Sequence, residues 1–391
     1  MKSPHLMIAP SVPVWIDKDI LIFDRKFYDG LIFIIEHWPG IISCIFSIAD
    51  SGYPEFGTVK KHRNELSFHC ITLKQKEIIS IDHIREASVV LASGDTYNQF
   101  HLSKLCNKNN IKCLYVIEYI PETRYQIVKL NTNNLIVRLR RYFYIWQNEQ
   151  QRIKAFFHSN GIQSNGTPAY QQYKQVKNNL LYFDTRVGIA DSISESDLSS
   201  RLEYLLLDNP LRLAFSGRLI KMKGADHLIK LAAILKCHGI NFSFAIYGTG
   251  ELQQEMISLI DKHTLYNHVS MKGSLDFYQE LLPDLKKNVD LFVCLHRQSD
   301  PSCTYLETLS CGIPIVGYRN KAFDGLLQLS DIGWGTKMDD INEIAKIIIY
   351  LDKNRIEISK KSKNSILFAR PNNFEATFTK RINQLLALSD H

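Results

Sequence analysis

Short apolar runs bounded by turn residues recur along the chain and alternate with longer segments whose apolar residues fall three and four apart. Leu6 to Ala9 predicts a strand, Tyr28 to His37 a helix stopped by Trp38-Pro39-Gly40, and Ile41 to Ala49 a strand. Leu66 to Leu73, Ala87 to Ala92 and Lys112 to Tyr119 continue the series of strands, with a helix from Thr96 to Asn107 between the last two. The second half repeats the rhythm. A strand from Leu213 runs into a glycine-bounded loop and a helix over Asp226 to Cys237, and a strand from Phe242 ends at Gly248-Thr-Gly250. A buried strand over Leu291 to Leu295 precedes another loop and helix, and Asn373 to Leu388 predicts a last helix. Strands alternating with helices make an α/β chain with mostly parallel sheets covered on both faces. Ligands on such sheets gather at the carboxyl ends of the strands.

Length turns one alternation into two domains, because 391 residues exceed what a single core usually serves. The expected boundary lies after Arg186, where residues 188 to 209 become rich in Ser, Asp and Glu, giving domains 1–187 and 188–372 and a terminal helix over 373–391. No apolar stretch reaches the roughly 20 residues that cross a bilayer. The start, Met1-Lys-Ser-Pro-His5, has no apolar core with a small-residue cleavage site, which predicts a cytoplasmic chain. The eight cysteines form no C-x-x-C pair, which argues for free thiols and against a zinc site or a disulfide framework.

Chemistry concentrates in the second half. Asp300-Pro-Ser-Cys-Thr-Tyr-Leu-Glu307 places one carboxylate on the loop after a buried strand and a second in the helix that follows. The amides at that helix start, with the hydroxyls of Ser302 and Thr304, suit a diphosphate, and each acid can accept from a sugar hydroxyl. Upstream, the loop after Leu213-Ala-Phe-Ser-Gly217 carries Arg218, Lys221 and Lys223, the forked and point cations that a pyrophosphate needs. Gly248 and Gly250 allow a backbone to come close to a ligand. A dinucleotide dehydrogenase fits less well, because the third glycine and the following ribose acid are missing.

The order Arg218, Lys223, Gly248-Thr-Gly250, Val269-Ser-Met-Lys-Gly273, then Glu307 and Cys311-Gly-Ile-Pro314, resembles the C-terminal half of glycosyltransferase family 4 over about residues 210 to 370. The resemblance implies a GT-B fold, two Rossmann-like domains facing a cleft, and a retaining transfer from a UDP- or GDP-sugar with no further cofactor and no metal. It implies that Arg218 and Lys223 hold the donor diphosphate and act in catalysis, and that Glu307 binds the ribose. His296, Asp300, Ser302, Cys303, Thr304 and Tyr305 then fall on the donor side, with Gly248 and Gly250. The place eight residues before Glu307, an acid in the family, holds Ser299, and Asp300 is seven before.

Two features of the first half matter for the acceptor. Glu118 ends the apolar strand Cys113 to Ile117, where packing gives no reason for a carboxylate, and Thr123 and Arg124 follow it as acceptor-side residues, either to orient it or to meet an acceptor. By strand order it stands where relatives of the family carry a histidine, which makes it the expected base and acceptor-side residue. His37 and His69 rank below it. Asn160 to Gly166 with Tyr182 to Arg186 resembles a subgroup of bacterial polysaccharide glycosyltransferases, which implies cell-surface polysaccharide synthesis on a saccharide or lipid-linked acceptor. The net charge of +7 is concentrated in residues 129–154, where Lys129, Arg138, Arg140, Arg141, Arg152 and Lys154 meet one acid, Glu149, among aromatic residues. Such a segment predicts either a helix on the inner face of the membrane or one packed on a sheet with a solvated cationic side. No nucleic-acid motif accompanies it. Two other readings share the fold: a nucleotide-sugar epimerase and a non-catalytic partner protein.

Overall fold

In the computed structural model, residues 3–54, 57–74, 77–207 and 209–389 are described. They form two compact units. The first comprises residues 1–125, 134–182 and 375–391, and the second residues 126–133 and 183–374.

In the first unit, strands β1 (His5–Ala9), β4 (Ile41–Ser47), β6 (His69–Leu73), β7 (Val89–Ser93), β8 (Lys112–Ile117), β9 (Gly161–Asn165) and β10 (Asn179–Tyr182) make a parallel sheet in the order β10-β9-β8-β7-β1-β4-β6. Every residue of β7 is buried, as a strand covered on both faces requires. A small antiparallel sheet of β2 (Trp15–Asp17), β3 (Ile20–Asp24) and β5 (Thr58–His62) is an addition that the alternation did not predict. The helix Phe374–Ser389 packs on this unit. Its Arg381 exchanges hydrogen bonds with the Gln163 side chain at 2.9 and 3.1 Å, and Phe378 lies so close to Gly30 that a Cβ there would meet its ring at 2.4 Å.

The second unit orders β11 (Leu211–Ser216), β12 (Phe242–Tyr247), β13 (Val269–Gly273), β14 (Leu291–Cys294), β15 (Ile315–Tyr318) and β16 (Gly333–Thr336) as β13-β12-β11-β14-β15-β16, all parallel. Counted within the unit this is 3-2-1-4-5-6, the Rossmann order, whose switch point lies between the first and fourth strands. In the larger sheet of the first unit the same count places the switch between β1 and β7. Phe215, Phe244, Leu291 and Phe292 are fully buried in the second sheet, each worth about 1.5–3 kcal/mol of burial. Truncating Phe244 to Ala would cost about 3–5 kcal/mol.

The basic segment is not one helix. A helix over Pro121–Asn131 ends, and Asn134 caps a second, Leu135–Phe157, by accepting from the amides of Ile136 and Val137 at 3.0 and 3.1 Å. Arg152 does not belong to a solvated face. It is 1% exposed, because Asp95 and Glu149 draw it into the core at 2.8 and 3.5 Å.

Candidate functional site

The switch point of the second unit is where the loops after β11 and β14 emerge, and these carry most of the expected donor residues. Gly217 and Gly224 bound the first loop, with a short turn over Lys221–Lys223 between them. Gly224 has φ 71°, and a Cβ there would lie 2.1 Å from the carbonyl oxygen of Leu295, so the two loops touch backbone to backbone. Arg297 stitches them further. Its amide donates to the Met222 carbonyl at 2.9 Å, its guanidinium bonds the Lys221 carbonyl, and it pairs with Asp226 at 2.7 Å and Asp339 at 2.6 Å.

The stitched loops carry the cations Arg218 and Lys223. Among the described residues, neither the Arg218 nor the Lys223 side chain has a hydrogen-bond or ion-pair partner, and Arg218 is exposed. Burial, helped by the positive charge of Arg218, pushes the Lys223 ammonium down to about 8 against the opposing pull of Cys294, Cys303 and Asp300. Two adjacent cations with no direct ion-pair partner among the described residues are the charge arrangement that an anion would suit. Asp300 is buried in the field of Lys223, whereas Ser299 is tied to Gln126 by reciprocal bonds of 3.0 and 3.1 Å. Of those two residues, Asp300 is therefore the acid facing the cations.

His296 is 1% exposed, with Phe215 and Tyr305 edge-on at 6.2 and 6.0 Å, and neither ring nitrogen has a partner among the described residues. Burial and then Lys223 hold it well below the usual imidazole range, so the ring is neutral. Tyr305, expected on the donor side, is instead a core residue. It is 1% exposed, its hydroxyl meets Asn320 at 3.0 Å, and its ring stacks on Phe323. Asn320 also donates to the His296 carbonyl at 2.9 Å, which fixes the strand end. Ser302 precedes the helix Cys303–Ser310 without a side-chain cap bond, and its hydroxyl donates to that of Thr304 at 3.1 Å.

Glu307 lies in the same helix, buried to 5% exposure, and accepts from Arg186 Nε at 2.7 Å. Cys303 links the two ends of the site. It is within electrostatic reach of both Lys223 and Arg186, and its thiol lies 3.8 Å from an Asp184 carboxylate oxygen. The structure thus brings Arg218, Lys223, Asp300, Cys303 and Glu307 into one connected set.

Residues 199–367 match the family of glycosyl transferases group 1. The matched segment, less than half of the chain, lies within the second unit and is similar to that family there. AmsK of Erwinia amylovora, an amylovoran biosynthesis glycosyltransferase, is 24% identical over 164 residues, 39% of this chain and 38% of that one. The chain thus spans little more than a third of this curated relative in the match. Anabaena HepE in complex with UDP superposes with a TM-score of 0.67 at 14% identity over 98% of this chain and 99% of that chain. The sucrose-phosphate synthase of Thermosynechococcus elongatus gives 0.65 at 13%, over 98% and 99%. The fold is GT-B, built from two Rossmann-like units.

Within the matched segment the glycines have a packing reason. A Cβ at Gly248 (φ 114°) would lie 2.1 Å from the Gly217 carbonyl oxygen, and one at Gly250 would lie 2.5 Å from that of Leu219. They permit loop to lie on loop beside the cations. The expected acceptor residues belong to the first unit. Arg124 does not follow the expected role of orienting Glu118; it pairs with Asp95 at 3.4 Å and covers the Tyr97 ring at 4.7 Å. The amides of Glu118 and Tyr119 donate to the same Asp95 carboxylate at 2.7 and 3.2 Å, and Thr123 is buried. Sequence reasoning missed Arg186 and Arg297. Nothing local marks them, since each acquires its partners from segments more than 40 residues away.

Proposed function

We propose that this chain is a retaining glycosyltransferase of family 4, moving a hexosyl unit from a UDP- or GDP-sugar to a saccharide or lipid-linked acceptor in cell-surface polysaccharide synthesis. The observation that carries the reading is the pair of cations without direct ion-pair partners among the described residues, Arg218 and Lys223, at the switch point of a Rossmann sheet. The amylovoran relative and the UDP complex of the Anabaena protein support it in substrate class.

The chemistry follows from charge. As the bond from the anomeric carbon to the donor phosphate breaks, the diphosphate gains negative charge, and two preset cations stabilise it without reorganisation. The acceptor hydroxyl attacks on the face the diphosphate leaves, and its proton passes to a diphosphate oxygen. Glu118 remains the acceptor-side residue of this reading. The expected result is that UDP- or GDP-sugars raise the melting temperature and that sugar appears on an added acceptor. Sugar interconversion without acceptor would replace the transferase by an epimerase, and no stabilisation by any nucleotide sugar would overturn the donor reading.

The first unit supports a membrane partner for a cytoplasmic enzyme. On the helix Leu135–Phe157, Leu135, Ile136, Leu139, Phe143 and Trp146 are 52–66% exposed, and Arg140 and Arg141 stand exposed among them. An apolar stripe with rings and arginines suits an anionic lipid surface. Sedimentation with phosphatidylglycerol vesicles, weakened by Leu139→Glu, is expected; equal binding to phosphatidylcholine vesicles would refute the electrostatic part.

A further inference from the structure

The loop after β14 is held residue by residue, and one hold comes from far away in the sequence. The Asn320 side chain donates to the His296 carbonyl at 2.9 Å, and Arg297 is tied to Lys221, Met222, Asp226 and Asp339. Those partners come from the strand-end loops and first helical turns of the second sheet itself. Ser299 is held differently. Its partner is Gln126, 173 residues away on the helix Pro121–Asn131, which belongs to the second unit through the short segment 126–133.

This hold is a two-point latch. Gln126 Nε2 donates to the Ser299 hydroxyl at 3.0 Å, and Gln126 Oε1 accepts from the Ser299 amide at 3.1 Å. A carboxamide that engages the backbone and the side chain of one residue fixes its peptide and its rotamer together, since neither can turn without breaking a bond. Ser299 is 1% exposed, so opening the latch strands polar groups away from water. Asp300 comes next, 3% exposed and in the field of Lys223. Pro301 follows it and restricts the backbone at 300 to extended conformations. The direction of the Asp300 carboxylate is therefore inherited from the peptide that Gln126 holds. The place eight residues before Glu307 serves the latch, and the acid stands one residue later.

We propose that Gln126 is a positioning residue for the donor loop: its latch on Ser299 aims the Asp300 carboxylate at the sugar of the donor and thereby sets turnover and the choice between epimeric sugars. Gln126 acts through Ser299, not on the sugar. A buried carboxylate aimed at one hydroxyl rejects the epimer that turns that hydroxyl away, because the acid is then left unpaired. A carboxylate free to swing loses that selection and holds the reacting sugar less well. The inference rests on the nucleotide-sugar reading of this unit.

The test compares the full chain with Gln126→Met, which keeps the length and removes both bonds, with Gln126→Glu, which can still accept from the Ser299 amide and hydroxyl, and with Ser299→Ala. Calorimetry measures binding of UDP, GDP and the epimer pairs UDP-glucose with UDP-galactose and GDP-mannose with GDP-glucose. Release of nucleoside diphosphate from the best-bound sugar donor gives turnover. Gln126→Met is expected to bind UDP or GDP as the wild type does, to lose the epimer preference and to turn over about 10- to 100-fold more slowly. Ser299→Ala, lacking one bond of the two, should fall between, and Gln126→Glu should recover most of both properties. Unchanged turnover and epimer preference in folded Gln126→Met overturns the proposal. So does a parallel loss of nucleotide affinity and melting temperature, which would make Gln126 scaffold. A wild type that discriminates neither epimer pair refutes the selection role, and binding of none of these ligands refutes instead the nucleotide-sugar reading beneath it.

Discussion

The two units share a strand order and treat their switch points in opposite ways. In the first unit Asp95, two residues after β7 with its side chain 8% exposed, takes the Glu118 amide at 2.7 Å, the Tyr119 amide at 3.2 Å and Arg152 at 2.8 Å on its carboxylate. Arg152 continues to Glu149, which accepts from the Tyr173 hydroxyl at 2.7 Å. In the second unit the loop after β11 presents Arg218 and Lys223 with no direct ion-pair partner among the described residues. A buried charge costs free energy unless it is paired, so the paired set reads as scaffold and the unpaired set as a place kept for an anion. Both sets lie at a switch point, one after the fourth strand and one after the first; satisfaction of the charges separates the two roles.

The sharpest way to break this contrast is to unbalance the paired set. Asp95→Ala leaves Arg152 buried without its partner, and loss of about 3–5 kcal/mol in urea unfolding is expected. Nucleotide binding by whatever protein stays folded should not change. A mild loss of stability with a large loss of nucleotide affinity would make Asp95 part of the donor site and erase the distinction.

The converse change removes an unpaired cation. Arg218→Ala or Lys223→Ala is expected to lower turnover by about 10²–10³-fold, the effect of deleting one preset group that stabilises developing charge. Thermal stability should hold or rise slightly, because either deletion relieves the repulsion between the two. Near-normal turnover in both variants would remove the anion site. A fall in stability comparable to that of Asp95→Ala would show that these cations are scaffold as well.

How much of this was legible beforehand depends on the range over which each feature is determined. Strands such as Phe242–Tyr247 and Leu291–Cys294, and the helix Ala225–Cys237, are written in local periodicity and lie within a residue or so of their expected bounds. Loops at strand ends were legible too, since Arg218 and Lys223 follow a strand and a glycine directly. Arg186 was not, because its meaning comes from Glu307 and Phe277, each supplied by a distant segment. Arg152 was misread for the same reason, a cation in a basic run being indistinguishable from surface until Asp95 is seen beside it. The break at Thr132 to Asn134 depends on a cap, and the small antiparallel sheet pairs strands as far apart as Ile20 and His62. Tyr305 sits one turn into a helix whose first residues are half-exposed, so only packing against Phe323 decides its side.

The smallest expected effect is the most discriminating, because it tests whether the cations feel one another. Lys223 is pushed down to about 8, below its unfolded value, by burial first and Arg218 next. It carries its charge below that pH and loses it above, so affinity for UDP or GDP should decline as pH rises past about 8. Stability follows the opposite sign. Between about 8 and the ordinary lysine range the unfolded chain holds a proton that the folded chain has released, so Lys223 makes the fold more stable as pH rises through that window. In Arg218→Ala the repulsion is gone and the alkaline decline in nucleotide affinity should move to higher pH. Titrating affinity by calorimetry from pH 6.5 to 9.5, in steps chosen from the general lysine and protein pKa ranges of roughly 7 to 10, checks both points. An alkaline limb that stays in place in Arg218→Ala would mean that the two charges act independently, and the anion site would have to be drawn around Lys223 without its neighbour.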